Sequence, residues 1–189
     1  MSRIPVAHID TQHPLYETLK NIEQSMGFML NDGLLMAHMP EIASAFAALT
    51  KSILFSGTID PVMKRLMGLL TSLSSGCTYC MSHTAYSAEK MNLPLEKIEA
   101  VWSYKTSSLF TIREKNMLDL AYKSSVQPNG IKDTDISSLS NYFTDAEIIE
   151  LVSVVSLYAF LNRFNQTLAT TPEDIPMSTL SSLKTMNNE

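Results

Sequence analysis

The segment from Asp145 to Ala169 constrains the fold most, because it has helical spacing and is apolar on nearly every side. A helix on the surface of a bundle needs an apolar stripe only somewhat wider than about 100°. A helix that exceeds this width is buried at the centre of a bundle or covered by another molecule. The rest of the chain must therefore surround this helix, or a second copy must cover it.

The remaining sequence carries helix signals and lacks strand signals. Residues 111–114 and 144–147 both match the T-x-x-E capping box, in which threonine and glutamate satisfy the free N–H groups of a helix start. Asp60 followed by Pro61 is typical of an N-cap and a first helical position. Only six glycines occur, which argues against a glycine-rich phosphate loop and a turn-dense β-sandwich. The sequence therefore predicts an all-α fold.

A length of 189 residues predicts a single domain. We expect residues 1–13 to form an N-terminal arm, residues 14–170 a helical domain and residues 171–189 a C-terminal tail. The tail is expected because the chain after Pro172 is rich in Ser, Thr and Asn and shows no period. Within the domain, Asn31-Asp32-Gly33 predicts a turn.

Charge and hydropathy exclude several classes of partner. Fourteen basic and nineteen acidic residues give a net charge of −5, and no basic run exceeds Lys64-Arg65, so a nucleic-acid partner is not expected. The longest apolar stretch, from Ile148 to Leu161, is too short to span a bilayer. The first thirty residues lack the pattern of a signal peptide. We therefore expect a cytoplasmic protein with no membrane partner.

The only two cysteines lie together in Gly76-Cys77-Thr78-Tyr79-Cys80-Met81-Ser82-His83. Cys77 follows a glycine break at the start of a predicted helix, and Cys80 shares its face, so the two sulfurs could form a disulfide. The positive end of the helix dipole stabilises a thiolate there. His83 lies three residues further on the same side. It could accept a thiol proton or, as imidazolium, hold the thiolate.

Two other interpretations fit the same spacing. The cysteines could be small buried apolar side chains on an amphipathic helix. They could also bind zinc together with the histidine, but a closed zinc site has four ligands and the motif supplies three. His8, His13 or His38 would have to supply the fourth. The redox pair is the favoured interpretation, and we expect neither a metal nor another cofactor.

The cysteine motif resembles a known family. Gly-Cys-x-Tyr-Cys at a helix start, followed by a histidine, is similar to the motif of the carboxymuconolactone decarboxylase/AhpD-like superfamily, above all its peroxidase-related branch. Further similar segments flank the motif: residues 27–41, the predicted helix 60–74 and residues 143–163 with Asn162-Arg163. The resemblance covers about residues 14–170.

The resemblance implies an AhpD-like helical bundle that assembles into homo-oligomers, with shared apolar surface above about 1,000 Å² per contact. It also implies thiol-dependent reduction of hydroperoxides in antioxidant defence. Cys80 would attack the peroxide, and Cys77 would resolve the product as a disulfide. His83 would help to relay the proton. An external dithiol or a redox protein would then reduce the pair.

The sequence departs from the family pattern at two positions. The relay glutamate of active members lies twelve residues before the first cysteine, where this chain has Arg65. In most family members the histidine lies seven residues after the first cysteine. This chain has Thr84 at that position, and its own His83 lies one residue earlier. Arg65 would favour a thiolate if it lay near Cys80, or it is simply a surface arginine. An alternative function is therefore a thiol–disulfide exchanger or redox-sensing oligomer with little peroxidase turnover. Lactone decarboxylation is less consistent with the motif, because it needs no cysteine pair.

Overall fold

The structure, a computed structural model, describes residues 1–183; the last six residues of the predicted tail lie outside this range. Every regular element within the described range is a helix, which confirms the all-α prediction. In chain order the helices are α1 (Tyr16–Met26), α2 (Asn31–Met36), α3 (Pro40–Phe55), α4 (Pro61–Ser75), α5 (Thr78–Lys90), α6 (Leu95–Glu99), α7 (Ile112–Ser125), α8 (Asp133–Leu139), α9 (Asp145–Leu168) and α10 (Asp174–Ser182).

The helix starts follow the caps predicted from sequence. At α7, Glu114 donates its backbone N–H to the Thr111 hydroxyl, and the Glu114 carboxylate accepts the N–H of Thr111. Thr144 and Glu147 repeat this reciprocal pair at α9, so both capping boxes are confirmed. Each such cap stabilises its helix by about 1 kcal/mol. The caps fix where the two helices begin and thereby which faces they bury.

Helix α4 lies at the centre of the bundle and packs against α5, α7 and α9. Leu66, Leu69 and Leu70 have no exposed surface. Gly68 lets α9 approach closely, because a Cβ at this position would lie only 2.2 Å from the Tyr158 ring. A larger residue would force the two helices apart. The close contact of α4 with α9 brings the C-terminal half of α9 towards the cysteines.

Helix α9 buries one face in the bundle, and its other face is exposed to solvent. Leu151 and Val154 are fully buried, whereas Ile149 is 66% exposed. Helix α3 runs beside α9, and the rings of Phe46 and Phe160 stack at a centroid distance of 5.0 Å. The exposed apolar side chains of the two helices are here grouped as the α3/α9 face: Ile42, Leu49, Phe55, Ile149, Val152 and Phe160. Among the described residues, no helix is both long and apolar enough to cross a membrane.

The C-terminal segment differs from the expected aperiodic tail. Asp174–Ser182 forms α10, which packs against α5, and Thr179 donates a hydrogen bond to Glu89 at 2.8 Å. Leu180 and Leu183 are buried at helical spacing. The Ser- and Thr-rich composition hid this short pattern, because packing on α5 rather than intrinsic propensity stabilises the helix. The segment therefore belongs to the bundle.

The N-terminal arm, residues 1–13, contains no helix and lies across the ends of α2 and α9. The backbone N–H of Arg3 donates to the carbonyl of Leu168 at 2.7 Å, and that of Ala7 donates to Leu34 at 3.2 Å. These hydrogen bonds hold the arm over the end of the bundle at which the cysteines lie.

Candidate active site

The cysteine pair lies where α4 gives way to α5. Gly76 adopts the left-handed conformation (φ 66°) that ends α4, and Cys77 follows as the N-cap residue of α5. The Cys77 sulfur accepts the backbone N–H of Cys80 at 3.4 Å. A sulfur thus occupies the place that an oxygen of Ser, Thr or Asp usually takes at a helix start. The position adds the positive end of the α5 dipole to the environment of Cys77.

The two cysteines have different acidities. A hydrogen bond from the Cys80 thiol holds the pKa of Cys77 below its ordinary value, against the effect of burial, and the N–H of Cys80 acts in the same direction. The same thiol–thiol hydrogen bond, with burial and the charge of Cys77, raises the pKa of Cys80. Only 2% of Cys77 and 3% of Cys80 are exposed. Cys77 is therefore the more acidic thiol of the pair, and Cys80 is the less acidic one.

Two polar residues from other helices lie beside Cys80. Asn165 of α9 places its side-chain nitrogen 3.5 Å from the Cys80 sulfur and 3.5 Å from Oδ2 of Asp32 on α2. Asn165 is 2% exposed, yet its Oδ1 has no hydrogen-bond partner among the described residues. The Asn165 amide therefore joins a carboxyl group to the thiol pair and keeps one acceptor free.

Asp32 holds its proton more tightly than an ordinary aspartate. Burial raises the pKa of this carboxyl, and the nearby charge of Glu173 acts in the same direction. The charge of His83 and hydrogen bonds from Tyr79 and Asn165 oppose the rise without cancelling it. The neutral carboxylic acid is therefore populated at a higher pH than it would be in water.

His83 pairs with a carboxylate from the far end of the chain. Its Nε2 lies 2.5 Å from Glu173, whose other oxygen accepts the N–H of Asn31 at 2.6 Å and the Tyr79 hydroxyl at 3.1 Å. Burial opposes ionisation of Glu173, but the hydrogen bond and charge of His83 hold its pKa below the ordinary value. The His83 ring stacks on Tyr79 at 4.3 Å and meets Phe28 edge-on at 5.6 Å. These contacts fix the ring orientation.

The structure brings Cys77 and Cys80 together but directs the predicted histidine elsewhere. Within residues 1–183, no hydrogen bond joins the His83 ring to either thiol, and its Nε2 faces Glu173. A positive charge on His83 lowers the pKa of Asp32, against the effect of burial. Direct proton exchange between His83 and a thiol stays a prediction.

The two positions that depart from the family pattern have local partners. Arg65 donates a hydrogen bond to the Tyr158 hydroxyl at 3.1 Å, and its guanidinium lies 5.4 Å from the centre of the Phe55 ring. Thr84 is buried and donates its hydroxyl to the carbonyl of Cys80 at 2.7 Å. Neither side chain supplies a base to the cysteine pair.

The zinc alternative finds no support in the described part of the chain. No three His, Cys, Asp or Glu side chains of residues 1–183 form a group that could hold a metal ion. Two of the histidines considered as a fourth ligand have local partners instead: His13 accepts the N–H of Leu15 at 3.1 Å, and His38 lies 2.9 Å from the carbonyl of Pro5.

Sequence reasoning missed Asp32, Asn165 and Glu173. Asp32 lay in a predicted turn and Glu173 in the predicted tail, so neither had a link to the cysteines. One signal was present: Asn162 and Asn165 are amides three residues apart on a helix that is otherwise apolar on nearly every side. Both are 2% exposed. Buried amides on a core helix indicate a polar site between helices.

Comparisons with known proteins relate this site to one superfamily. The sequence model of the Carboxymuconolactone decarboxylase family matches residues 40–123, which include both cysteines and His83. Asp32, Asn165 and Glu173 lie outside the matched residues. A 118-residue segment is 26% identical to the uncharacterized protein YnjA of Escherichia coli (strain K12). That match spans 62% of each protein, so the chain covers less than two thirds of this relative.

Solved structures share the fold over nearly the whole chain. A cysteine-to-alanine variant of the debrominase Bmp8, in complex with 2,3,4-tribromopyrrole, is 26% identical with a TM-score of 0.89, over 97% of this chain and 100% of that one. The alkylhydroperoxidase AhpD core of an uncharacterized peroxidase-related protein from Ralstonia eutropha JMP134 is 20% identical with a TM-score of 0.82, over 93% and 94%. The family match and this shared fold agree with the resemblance seen in the cysteine motif. The chain is therefore similar to the carboxymuconolactone decarboxylase/AhpD-like superfamily, in sequence over residues 40–123 and in fold over nearly its whole length.

Proposed function

We propose that this protein is an enzyme that reduces small hydroperoxides with Cys77 and Cys80, which cycle between dithiol and disulfide. The observation that carries the proposal is the hydrogen-bonded thiol pair at the start of α5, in which the pKa of Cys77 is lowered. A thiolate is the nucleophilic form of cysteine, and an adjacent thiol is what a two-step reduction needs. The superfamily fold supports the same chemistry.

The cycle has three steps. The Cys77 thiolate attacks one peroxide oxygen, so that an S–O bond forms and the O–O bond breaks as two electrons pass from sulfur to the peroxide. The leaving alkoxide takes a proton and departs as an alcohol. Cys80 then attacks the sulfenic acid of Cys77, which forms the S–S bond and releases water. An external dithiol reduces the disulfide by thiol exchange and leaves as a disulfide itself.

This order of attack reverses the one that the resemblance implies, in which Cys80 attacks and Cys77 resolves. The reason is local. Cys77 receives hydrogen bonds at the positive end of α5, whereas burial and the neighbouring thiolate keep the Cys80 proton in place. The more acidic thiol of a pair is ionised first and therefore attacks first.

Burial of the pair favours small reactants. With 2% and 3% of the two cysteines exposed, a sulfur of a folded partner protein has no approach to either. A disulfide exchanger acting on proteins needs an accessible attacking sulfur. A hydroperoxide and a low-molecular-weight dithiol are the reactants that this site suits.

The test uses tert-butyl hydroperoxide with dithiothreitol and compares wild type with Cys77→Ser and Cys80→Ser. Serine preserves the size of the side chain and is a good N-cap, so both variants should fold. We expect turnover only in wild type, and mass spectrometry should show a disulfide that lacks two hydrogens. Cys80→Ser should accumulate a sulfenic acid on Cys77. If Cys77→Ser instead accumulates a sulfenic acid on Cys80, Cys80 attacks first, as the family resemblance implies. If both thiols of the wild type can still be alkylated after peroxide treatment, the proposal is refuted.

A second candidate is reductive dehalogenation of a small aromatic, favoured by the 26% identity to the debrominase Bmp8 over 97% of this chain. This reaction would use the same two cysteines as reductant. A C–Br bond is replaced by a C–H bond, the two thiols become a disulfide, and HBr is released. The measurement is bromide release from 2,3,4-tribromopyrrole in the presence of dithiothreitol. Release that exceeds the Cys77→Ser control, with no consumption of hydroperoxide, would make this the function.

A further inference from the structure

The proposed cycle needs an acid close to the thiol pair. The alkoxide that leaves after peroxide attack must be protonated, and the Cys77 thiol that re-forms on reduction must lose its proton again. General acid–base groups contribute about 10²–10⁴-fold to such steps. Arg65, which stands where active relatives carry the relay glutamate, cannot serve, because a guanidinium stays protonated and this one is bound to Tyr158.

Asp32 is the carboxyl group placed to do this. Its Oδ2 and the Cys80 sulfur lie 3.5 Å from the same Asn165 nitrogen, so the two atoms are no more than about 7 Å apart. Its charge acts on Cys77 as well as on Cys80. The free Oδ1 of the buried Asn165 adds an acceptor at the same place, suited to the O–H of a hydroperoxide or of a bridging water.

The surroundings favour the neutral acid. The groups that face Asp32 come from three elements: Cys77, Tyr79, Cys80 and His83 at α5, Asn165 on α9, and Glu173 ahead of α10. Burial and Glu173 raise its pKa, and His83 is the residue whose charge would lower it. An ionised Asp32 would in turn suppress both thiolates. Ionisation of the carboxyl and ionisation of the thiol pair therefore oppose each other.

We propose that Asp32 donates the proton to the departing alkoxide and recovers it from Cys77 when the pair is reduced, with Asn165 as the residue that positions it. This role rests on the function proposed above. The proton balance closes. The carboxylic acid becomes a carboxylate as the alcohol leaves, and it becomes an acid again when the re-formed Cys77 thiol ionises. No further proton donor is required.

The test compares wild type, Asp32→Asn, Asp32→Glu and the exposed control Asp133→Asn. The first measurement is the pH dependence of Cys77 alkylation by iodoacetamide, followed by peptide mass spectrometry without any substrate. Removal of the Asp32 charge should lower the midpoint by about 1 pH unit, because an ionised Asp32 raises the pKa of Cys77. The second is hydroperoxide turnover, which should fall about 100-fold in Asp32→Asn and recover in part in Asp32→Glu.

The two measurements move in opposite directions only if Asp32 holds the proton. A purely structural role would slow alkylation and turnover together, and that result would overturn the inference, as would an unmoved alkylation midpoint. If the wild type consumes no hydroperoxide, the proposed function is refuted. A lowered alkylation midpoint in Asp32→Asn would in that case still show that Asp32 is coupled to the thiols. Asp133→Asn should match wild type in both measurements.

Discussion

Nε2 of His83 lies 2.5 Å from the carboxylate of Glu173, ninety residues further along the chain. Through its other oxygen, Glu173 also holds the start of α2 and the hydroxyl of Tyr79. A single carboxylate therefore ties together α2, α5 and the segment that leads into α10. The C-terminal segment completes the candidate site, although no residue in it resembles the family motif.

Replacing Glu173 with Gln should destabilise the fold by about 1.5–3 kcal/mol at pH 7, the range for hydrogen bonds to charged groups. The pKa of Glu173 is lowered from 4.5 in the folded protein, so its contribution is present above pH 4.5 and is lost as the pH falls through the folded pKa. Urea unfolding at a series of pH values measures this, with the exposed Glu96→Gln as control. A stability difference that is equal at pH 7 and pH 3 would contradict an ionic origin.

For Asp32 we expect the opposite dependence of stability on pH. Its pKa is raised above 3.8, so the folded protein binds this proton more tightly than the unfolded chain, and stability is lost as the pH rises through the folded pKa. Asp32→Asn should therefore unfold at a higher urea concentration than wild type at pH 7, and the two should converge at low pH. Such a gain in stability would indicate that Asp32 serves activity although its charge destabilises the fold. A variant that is less stable than wild type at pH 7 would contradict the prediction.

Lys64 forms a buried ion pair with Glu150. It has no exposed surface, lies 2.5 Å from Glu150 and donates hydrogen bonds to the carbonyls of Ile53 and Ser56. Lys64→Met should cost about 3–5 kcal/mol, because it leaves the largely buried Glu150 carboxylate without its cation.

The matched control for Lys64 is Lys123→Met, which breaks the more exposed pair with Asp135 and should cost much less stability than Lys64→Met. Urea unfolding measures both variants. Equal losses would show that burial of the Lys64–Glu150 pair does not determine its contribution.

The α3/α9 face should form the contact between copies in a homo-oligomer. Ile149 lies within this face and Ile112 on α7 outside it, and both are 66% exposed. Ile149→Lys should therefore dissociate the assembly, whereas Ile112→Lys should leave it intact, because only the first places a charge in an apolar contact. Sedimentation at micromolar concentration measures the difference. A wild-type mass of 21.0 kDa would show that the protein is a monomer.

The sequence predicted well those features that depend on neighbours along the chain. The capping boxes at Thr111 and Thr144 and the cysteine N-cap of α5 are fixed by residues three positions apart. Asp32 and Glu173 escaped prediction, because their roles arise from contacts with residues far away along the chain. Nothing in the composition of a turn or a tail indicates which distant helix it will meet.

Arg65 illustrates the same limit. The sequence left open whether Arg65 lies near Cys80 or is a surface arginine, and in the structure its partners are Tyr158 and Phe55. The aromatic rings of neighbouring helices determine which position a long cationic side chain takes. Tertiary packing determines where those rings lie.

The distance along the chain between the thiols and their polar partners also sets an order during synthesis. Asn165 follows Cys80 by 85 residues, and Glu173 follows His83 by 90. A ribosome adds about 5–20 residues per second, so these partners emerge between about 4 and about 18 s after the cysteines. Throughout that interval α9 and α10 cannot cover the pair. The nascent chain therefore meets cellular oxidants with both sulfurs uncovered, a vulnerability that ends when its last helices dock.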